Sequence, residues 1–147
     1  MEWNIKTYEA LTKDELYDLL QLRIEVFVIE QECPYQDADG KDKNSIHVWT
    51  NNAEGQPIAY LRIVAPGGSY EEPSIGRVVT KETNRKGGLG RELMNQGIAE
   101  CLEVYPDQTI RISAQEYLLG FYTSLGFEQV GEMYLEDDIP HLEMILL

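Results

Sequence analysis

Between Ser74 and Tyr105 the sequence runs from a strand through a glycine-rich crossing into a helix, and few folds accept that succession. Ser-Ile-Gly-Arg-Val-Val-Thr (74–80) reads as a buried strand. Arg85-Lys86-Gly87-Gly88-Leu89-Gly90-Arg91 then leads into apolar positions at Leu89, Leu93, Met94, Ile98, Cys101, Leu102 and Tyr105. That is the i, i+3, i+4 stripe of an amphipathic helix. The glycines therefore stand at a helix start, where unpaired N–H groups and the positive end of the macrodipole favour an anion. Without Cβ atoms, they let a phosphate reach the backbone. Arg77, Lys81, Arg85, Lys86 and Arg91 gather here in a chain of formal net charge −14. A glycine cap followed by solubilising charges is the plainer alternative, but strand, glycines, helix and local charge all favour the phosphate.

The run lacks the lysine and hydroxyl of a Walker A loop. Leu93 stands where a dinucleotide fingerprint has its third glycine, and no acidic residue follows at the ribose spacing. A nucleotide-binding α/β protein is therefore the weaker reading.

The 147 residues suit one domain with a real core. No apolar run is as long as a membrane span, and Met-Glu-Trp-Asn has no signal-peptide character. Cys33 and Cys101 are too few for a disulfide framework, and no Cys/His cluster has metal-ligand spacing, so the expectation is a reduced, cytoplasmic protein without a metal. The acidic balance argues against nucleic acid or an anionic membrane as partner. Apolar Trp3 and Leu147 would suit either a core or a homodimer contact.

Trp3 to Tyr8 alternates as a strand. Thr12 and Glu15 form a capping box, with a Leu11–Leu16 staple, for a helix that ends before Pro34. Residues 33–46 read as a solvated loop whose acidic side chains flank a substrate entrance; Asp37, Asp39, Gly40 and Asp42 lack calcium-loop spacing. Residues 47–50 and 57–65 form a hairpin, with His47 anchoring its strand beside Trp49. Strand 74–80, helix 88–105 and strand 109–115 make a βαβ unit with parallel strands. Helix 116–125 ends at Gly126, and strands 127–134 and 141–146 flank the segment 135–140. The pattern is mixed α/β.

Arg85, Gly88 and Gly90 after a Val-Val strand match R-x-x-G-x-G and resemble the acyl-coenzyme A signature of the GNAT superfamily of N-acyltransferases. Phe121-Tyr122-Thr123-Ser124-Leu125-Gly126-Phe127 is similar to that family's F-Y-x-x-x-G-F segment. The runs 23–35, 111–118 and 136–141 resemble the ElaA-like branch, so the likeness covers essentially the whole chain. One departure is Asp138, where that branch usually has glycine; aspartate is among the few residues that tolerate positive φ.

The resemblance implies a single-domain GNAT-like fold, a mostly antiparallel sheet with a central parallel βαβ unit and helices on both faces. It implies acetyl-CoA (acyl-CoA) as co-substrate and a small-molecule or peptide amine as acceptor. Arg85, Lys86, Gly87, Gly88, Leu89, Gly90 and Arg91 would hold the diphosphate. The backbone of Val78 and Thr80 would hold the pantetheine, N–H groups near Val79 would face the thioester carbonyl, and Gln115 and Phe121 would complete the site. Acyl transfer needs oxyanion donors, a base for the ammonium proton and an acid for the leaving sulfur. On spacing alone Tyr122 is a core aromatic; the resemblance makes it the acid. Glu30 and His141 are the base candidates, with a water relay as the alternative, while Glu30, Glu32 and Glu136 would equally suit a solvated rim. The acidic segments 30–42 and 136–138 favour a cationic primary amine. A CoA-binding sensor or interaction module without turnover is the competing class.

Overall fold

The computed structural model describes residues 1–147. Seven strands form one sheet: β1 (Asn4–Thr7), β2 (Ser45–Asn51), β3 (Pro57–Val64), β4 (Ser74–Thr80), β5 (Ile110–Gln115), β6 (Glu128–Glu136) and β7 (Ile139–Leu146). They lie in the order β1-β2-β3-β4-β5-β7-β6. Every neighbouring pair is antiparallel except β4–β5, the parallel pair expected of the βαβ unit.

Helix α1 (Lys13–Arg23) starts on the expected capping box. Glu15 N–H donates to Thr12 Oγ1 at 3.0 Å, and Thr12 N–H donates to Glu15 Oε1 at 2.9 Å. The chain then winds on as a π-helical segment, Ile24–Glu30, rather than continuing as regular helix. The wider winding carries Glu30 and Gln31 to the wall of the cleft described below.

Alternation along the strands divides the core into two layers. Trp49 of β2, Tyr60 of β3 and Val79 of β4 pack against Leu19, Leu22 and Val26 of α1 and its π extension. Ala59, Leu61 and Ile63 face the other way, onto Leu93, Met94 and Cys101 of α2 (Leu89–Val104). Helices thus cover both faces. The close approach of α2 depends on Gly97: a Cβ there would lie 2.6 Å from Leu61 Cδ2. A 3₁₀ turn at Glu116–Leu118 leads into the short α3 (Leu119–Ser124), closed by Gly126 at φ +103°.

Two features of the sheet make the site. First, β4 and β5 pair only where they begin, at Ser74 and Arg111, with the Arg111 N–H on the Pro73 carbonyl at 3.1 Å. Beyond that point no register pair joins them. Second, Leu61 of β3 faces both Arg77 and Val78, a bulge in which Arg77 takes φ +50°. At the far edge, β6 and β7 form a hairpin with Asp137 (φ +50°) and Asp138 (φ +62°) as its two turn residues. Two successive positive φ values are what a type I′ turn needs. Residues 135–140 are therefore mostly strand, and Asp138 adopts the backbone that its position demands.

Candidate active site

The separation of β4 from β5 opens a cleft of about 530 Å³. Its walls are Val78, Val79 and Thr80 on one side and Ser113, Ala114 and Gln115 on the other. Phe121 and Tyr122 of α3 close one flank, and Glu30 and Gln31 the other. Gly90 and Arg85 stand at one end; Glu136, Asp137 and His141 stand at the other. Segments far apart in the chain, the glycine loop, α3 and the β6–β7 hairpin, are thereby joined by one groove.

At the glycine end, Lys86 (φ +75°) and Gly88 (φ +76°) are both left-handed, a turn that Gly88 takes without cost. Gly88 is the N-cap of α2 and gives the helix no side-chain cap. Its carbonyl accepts from Glu92 N–H at 3.0 Å, so regular helical bonding starts one turn in. No side chain accepts from an amide of residues 86–91. Those donors are left for an outside anion, beside exposed Lys86 and Arg91. Arg91 lies 5.6 Å from the Phe121 ring and donates to Ser124 Oγ at 2.7 Å. Leu89 instead buries its side chain in the core, so only its backbone can serve.

Arg85 is engaged differently. Its guanidinium donates to both Glu30 oxygens, at 2.6 and 3.0 Å, and to the Thr80 carbonyl at 2.9 Å. This pair spans the cleft mouth between the π segment and the glycine loop. It also engages both Glu30 oxygens.

The β3–β4 ladder determines which amides near Val79 can face the cleft. Lys81 N–H donates to the Ile58 carbonyl at 2.8 Å, which makes Ile58/Lys81 a hydrogen-bonded pair. Alternation in an antiparallel ladder then makes Tyr60/Val79 the next bonded pair and leaves Ala59/Thr80 unbonded between them. The Val79 N–H is thus turned to β3. The backbone of Thr80 is turned to the cleft, which Arg77 and Val78 of the bulge also line. Val79 keeps a place on the wall only through its nearly buried side chain.

Tyr122 is 6 % exposed and packs edge-on against Phe121 and Phe127, with ring centroids 5.1 and 6.0 Å away. Its hydroxyl makes no hydrogen bond to the protein, and it lines the cleft. Burial pushes the phenol well above its ordinary value, so it stays protonated beyond pH 10. His141 has its Nδ1 2.7 Å from the Ile139 carbonyl oxygen, which can only accept. That assigns a hydrogen to Nδ1 and directs Nε2 into the cleft, 3.6 Å from Glu136 Oε2.

The loop after α1 departs from the expected solvated segment. Asp37 and Asp42 are buried. Arg23 donates through Nε to Asp37 Oδ2 at 2.9 Å and through Nη1 to Asp42 Oδ1 at 2.7 Å. Arg62 joins Asp39 and Asp42 at 2.7 and 2.9 Å. Burial alone would raise the Asp39 and Asp42 carboxyls; hydrogen bonds and charge from the arginines outweigh it and hold both below the usual range. Arg77, expected among the phosphate cations, is drawn into this network. It contacts Asp37 and Asp39 and lies 5.4 Å from the Tyr35 ring. His47 donates from Nε2 to the Asp42 carbonyl at 2.9 Å and accepts the Tyr60 hydroxyl at Nδ1, 2.7 Å. The loop carries Cys33 and Tyr35 to the cleft, two residues with no signal in the sequence. The Cys33 thiol reaches the Asp137 carbonyl at 3.8 Å and ties this loop to the hairpin turn.

No helix is long and apolar enough to cross a membrane. Residues 9–147 match the family model of the acetyltransferase (GNAT) domain. ElaA of Escherichia coli is 40 % identical over 148 aligned positions, 98 % of this chain and 95 % of that one. Its crystal structure superposes with a TM-score of 0.93 over 99 % of each chain. A crystal structure described as an acyl-CoA N-acyltransferase from Pseudomonas aeruginosa also gives 0.93, with 42 % identity over all of both chains. A UPF0039 protein of Synechocystis is 39 % identical over 145 residues, 99 % of this chain and 94 % of that one. The glycine-capped helix and the parted strands are therefore those of a GNAT acetyltransferase, in the branch that contains ElaA, and to that family this chain belongs.

Proposed function

We propose that this chain moves an acetyl (acyl) group from acetyl-CoA to a primary amine by direct transfer in a ternary complex. The observation that carries the reading is the set of uncapped amides at the start of α2, which open onto the gap between β4 and β5. Amides of residues 87–91, with Lys86 and Arg91, hold the diphosphate of CoA, and Arg85 joins them by exchanging Glu30 for phosphate. The Thr80 and Val78 backbone, with no strand paired to it on the cleft side, takes up the pantetheine amides as a strand would. Gln115 and Phe121 line its path. The cleft-facing bulge supplies amide donors to the carbonyl oxygen as charge develops there. Tyr122 donates its phenolic proton to the departing sulfur. The Pseudomonas relative supports the reading through its description as an acyl-CoA N-acyltransferase.

The test is thiol release from acetyl-CoA in the presence of a primary amine. Tyr122→Phe removes one hydroxyl that makes no hydrogen bond to the protein, so the fold stays intact and release falls roughly 10²-fold or more. Equal turnover by parent and variant would remove Tyr122 from the mechanism. Thermal stabilisation by acetyl-CoA, with no thiol released across a broad set of amines, would instead identify a binding module.

A further inference from the structure

We infer that Arg85, Glu30 and the Thr80 carbonyl form a clasp across the cleft mouth, and that this clasp selects acyl carriers bearing a diphosphate over plain pantetheine. The inference rests on the acyl-transfer reading above and deepens it, by assigning how the carrier is chosen.

One guanidinium bridges two acceptors here. Arg85 Nη1 and Nη2 donate to Glu30 Oε2 and Oε1 at 2.6 and 3.0 Å. Its Nε and Nη2 also donate to the Thr80 carbonyl, at 3.2 and 2.9 Å. Ala59/Thr80 is an unbonded pair of the β3–β4 ladder, so that carbonyl is turned away from β3 and toward the cleft. It is the acceptor that a pantetheine N–H would use, and Arg85 covers it. Glu30 holds the guanidinium in place from the opposite flank, at the end of the π-helical segment Ile24–Glu30. Pairing singles out Arg85 for this role. Lys81, Lys86 and Arg91 stand around the same loop, but Arg85 alone of the four is matched by a carboxylate.

The clasp is weak enough to open. The two side chains are 37 and 31 % exposed, and a pair so wetted favours the closed arrangement by roughly three- to fivefold. A diphosphate presents the guanidinium with oxygens in the same fork geometry that Glu30 offers, so Arg85 can exchange one for the other without losing a partner. The exchange draws Arg85 off the Thr80 carbonyl and leaves it bare for the pantetheine. Plain pantetheine brings no anion. It has to displace the guanidinium from the carbonyl while Glu30 still holds it there.

The experiment titrates pantetheine and CoA separately into isotope-labelled parent, Glu30→Gln and Arg85→Ala, and reads each Kd from the Thr80 amide. Both substituted residues are exposed, so the variants keep the fold. Pantetheine should bind each variant roughly three- to fivefold more tightly than the parent, because nothing holds a guanidinium on the carbonyl. CoA should gain by a similar factor in Glu30→Gln, yet bind Arg85→Ala more weakly, since the phosphate loses its guanidinium. Unchanged pantetheine affinity in Arg85→Ala would make Arg85 a phosphate ligand and nothing more. Weaker CoA binding by Glu30→Gln would make Glu30 a support for Arg85. Either result overturns the clasp and leaves the acyl-transfer reading standing. CoA that bound none of the three proteins would overturn both. Each Kd is measured without turnover, so a failed thiol assay rejects acyl transfer without touching the clasp.

Discussion

Arg23 is the side chain on which the loop after α1 closes. It is 1 % exposed and holds two buried carboxylates, and its guanidinium carbon lies 5.6 Å from the Tyr60 ring. A buried ion pair adds little over an apolar core of the same shape, but removing one partner strands the other. Arg23→Met leaves Asp37 to Arg77 and Asp42 to Arg62, with their remaining bonds unmade. We expect a loss of about 3 kcal/mol, toward the lower end for a broken buried pair because each carboxylate keeps one cation. Urea unfolding should show a lower midpoint with an unchanged slope; a loss below about 1 kcal/mol would mean that the network contributes little.

Among the elements, those with a short-range cause were legible in the sequence. The capping box, the α2 stripe, the βαβ unit and Gly126 each follow from a handful of neighbouring residues, and each stands where it was expected. The glycine loop likewise announced its helix start. Other features depended on partners that the expected elements did not bring together. The apparently solvated loop 33–46 gave no sign that Arg23, Arg62 and Arg77 would meet its aspartates. The direction of the Val79 amide followed from ladder parity with β3, which no local pattern encodes. Glu136 passed for rim because residues 135–140 read as loop. A two-residue turn with aspartate at both positions was the available signal, and it would have placed Glu136 on the face of His141. Arg85 and Glu30, read separately as phosphate ligand and base, turned out to be each other's partner.

For the whole molecule, the polar network beneath α1 sets how stability depends on pH. Burial depresses the His47 pKa, with a smaller opposing effect from the Asp42 carbonyl. The unfolded chain therefore takes up a proton near pH 6.5 that the folded chain refuses, and stability is lost as pH falls through that value. Asp39 and Asp42, held low by the arginines, add a second loss below about pH 4, where the unfolded chain protonates first. Thermal midpoints should thus hold level above about pH 7, decline from about 6.5 and fall more steeply below about 4; a flat profile from pH 7.5 to 5 would contradict the role given to His47. The same architecture leaves one end of the cleft cationic and uncapped, and the other acidic and acceptor-lined. Amide NMR with added ligand reads both ends of the cofactor path at once. Coenzyme A should shift the amides of Gly87 to Arg91 together with those of Val78 and Thr80, while pantetheine should shift Val78 and Thr80 alone. Coenzyme A that left residues 87–91 unmoved would contradict the account.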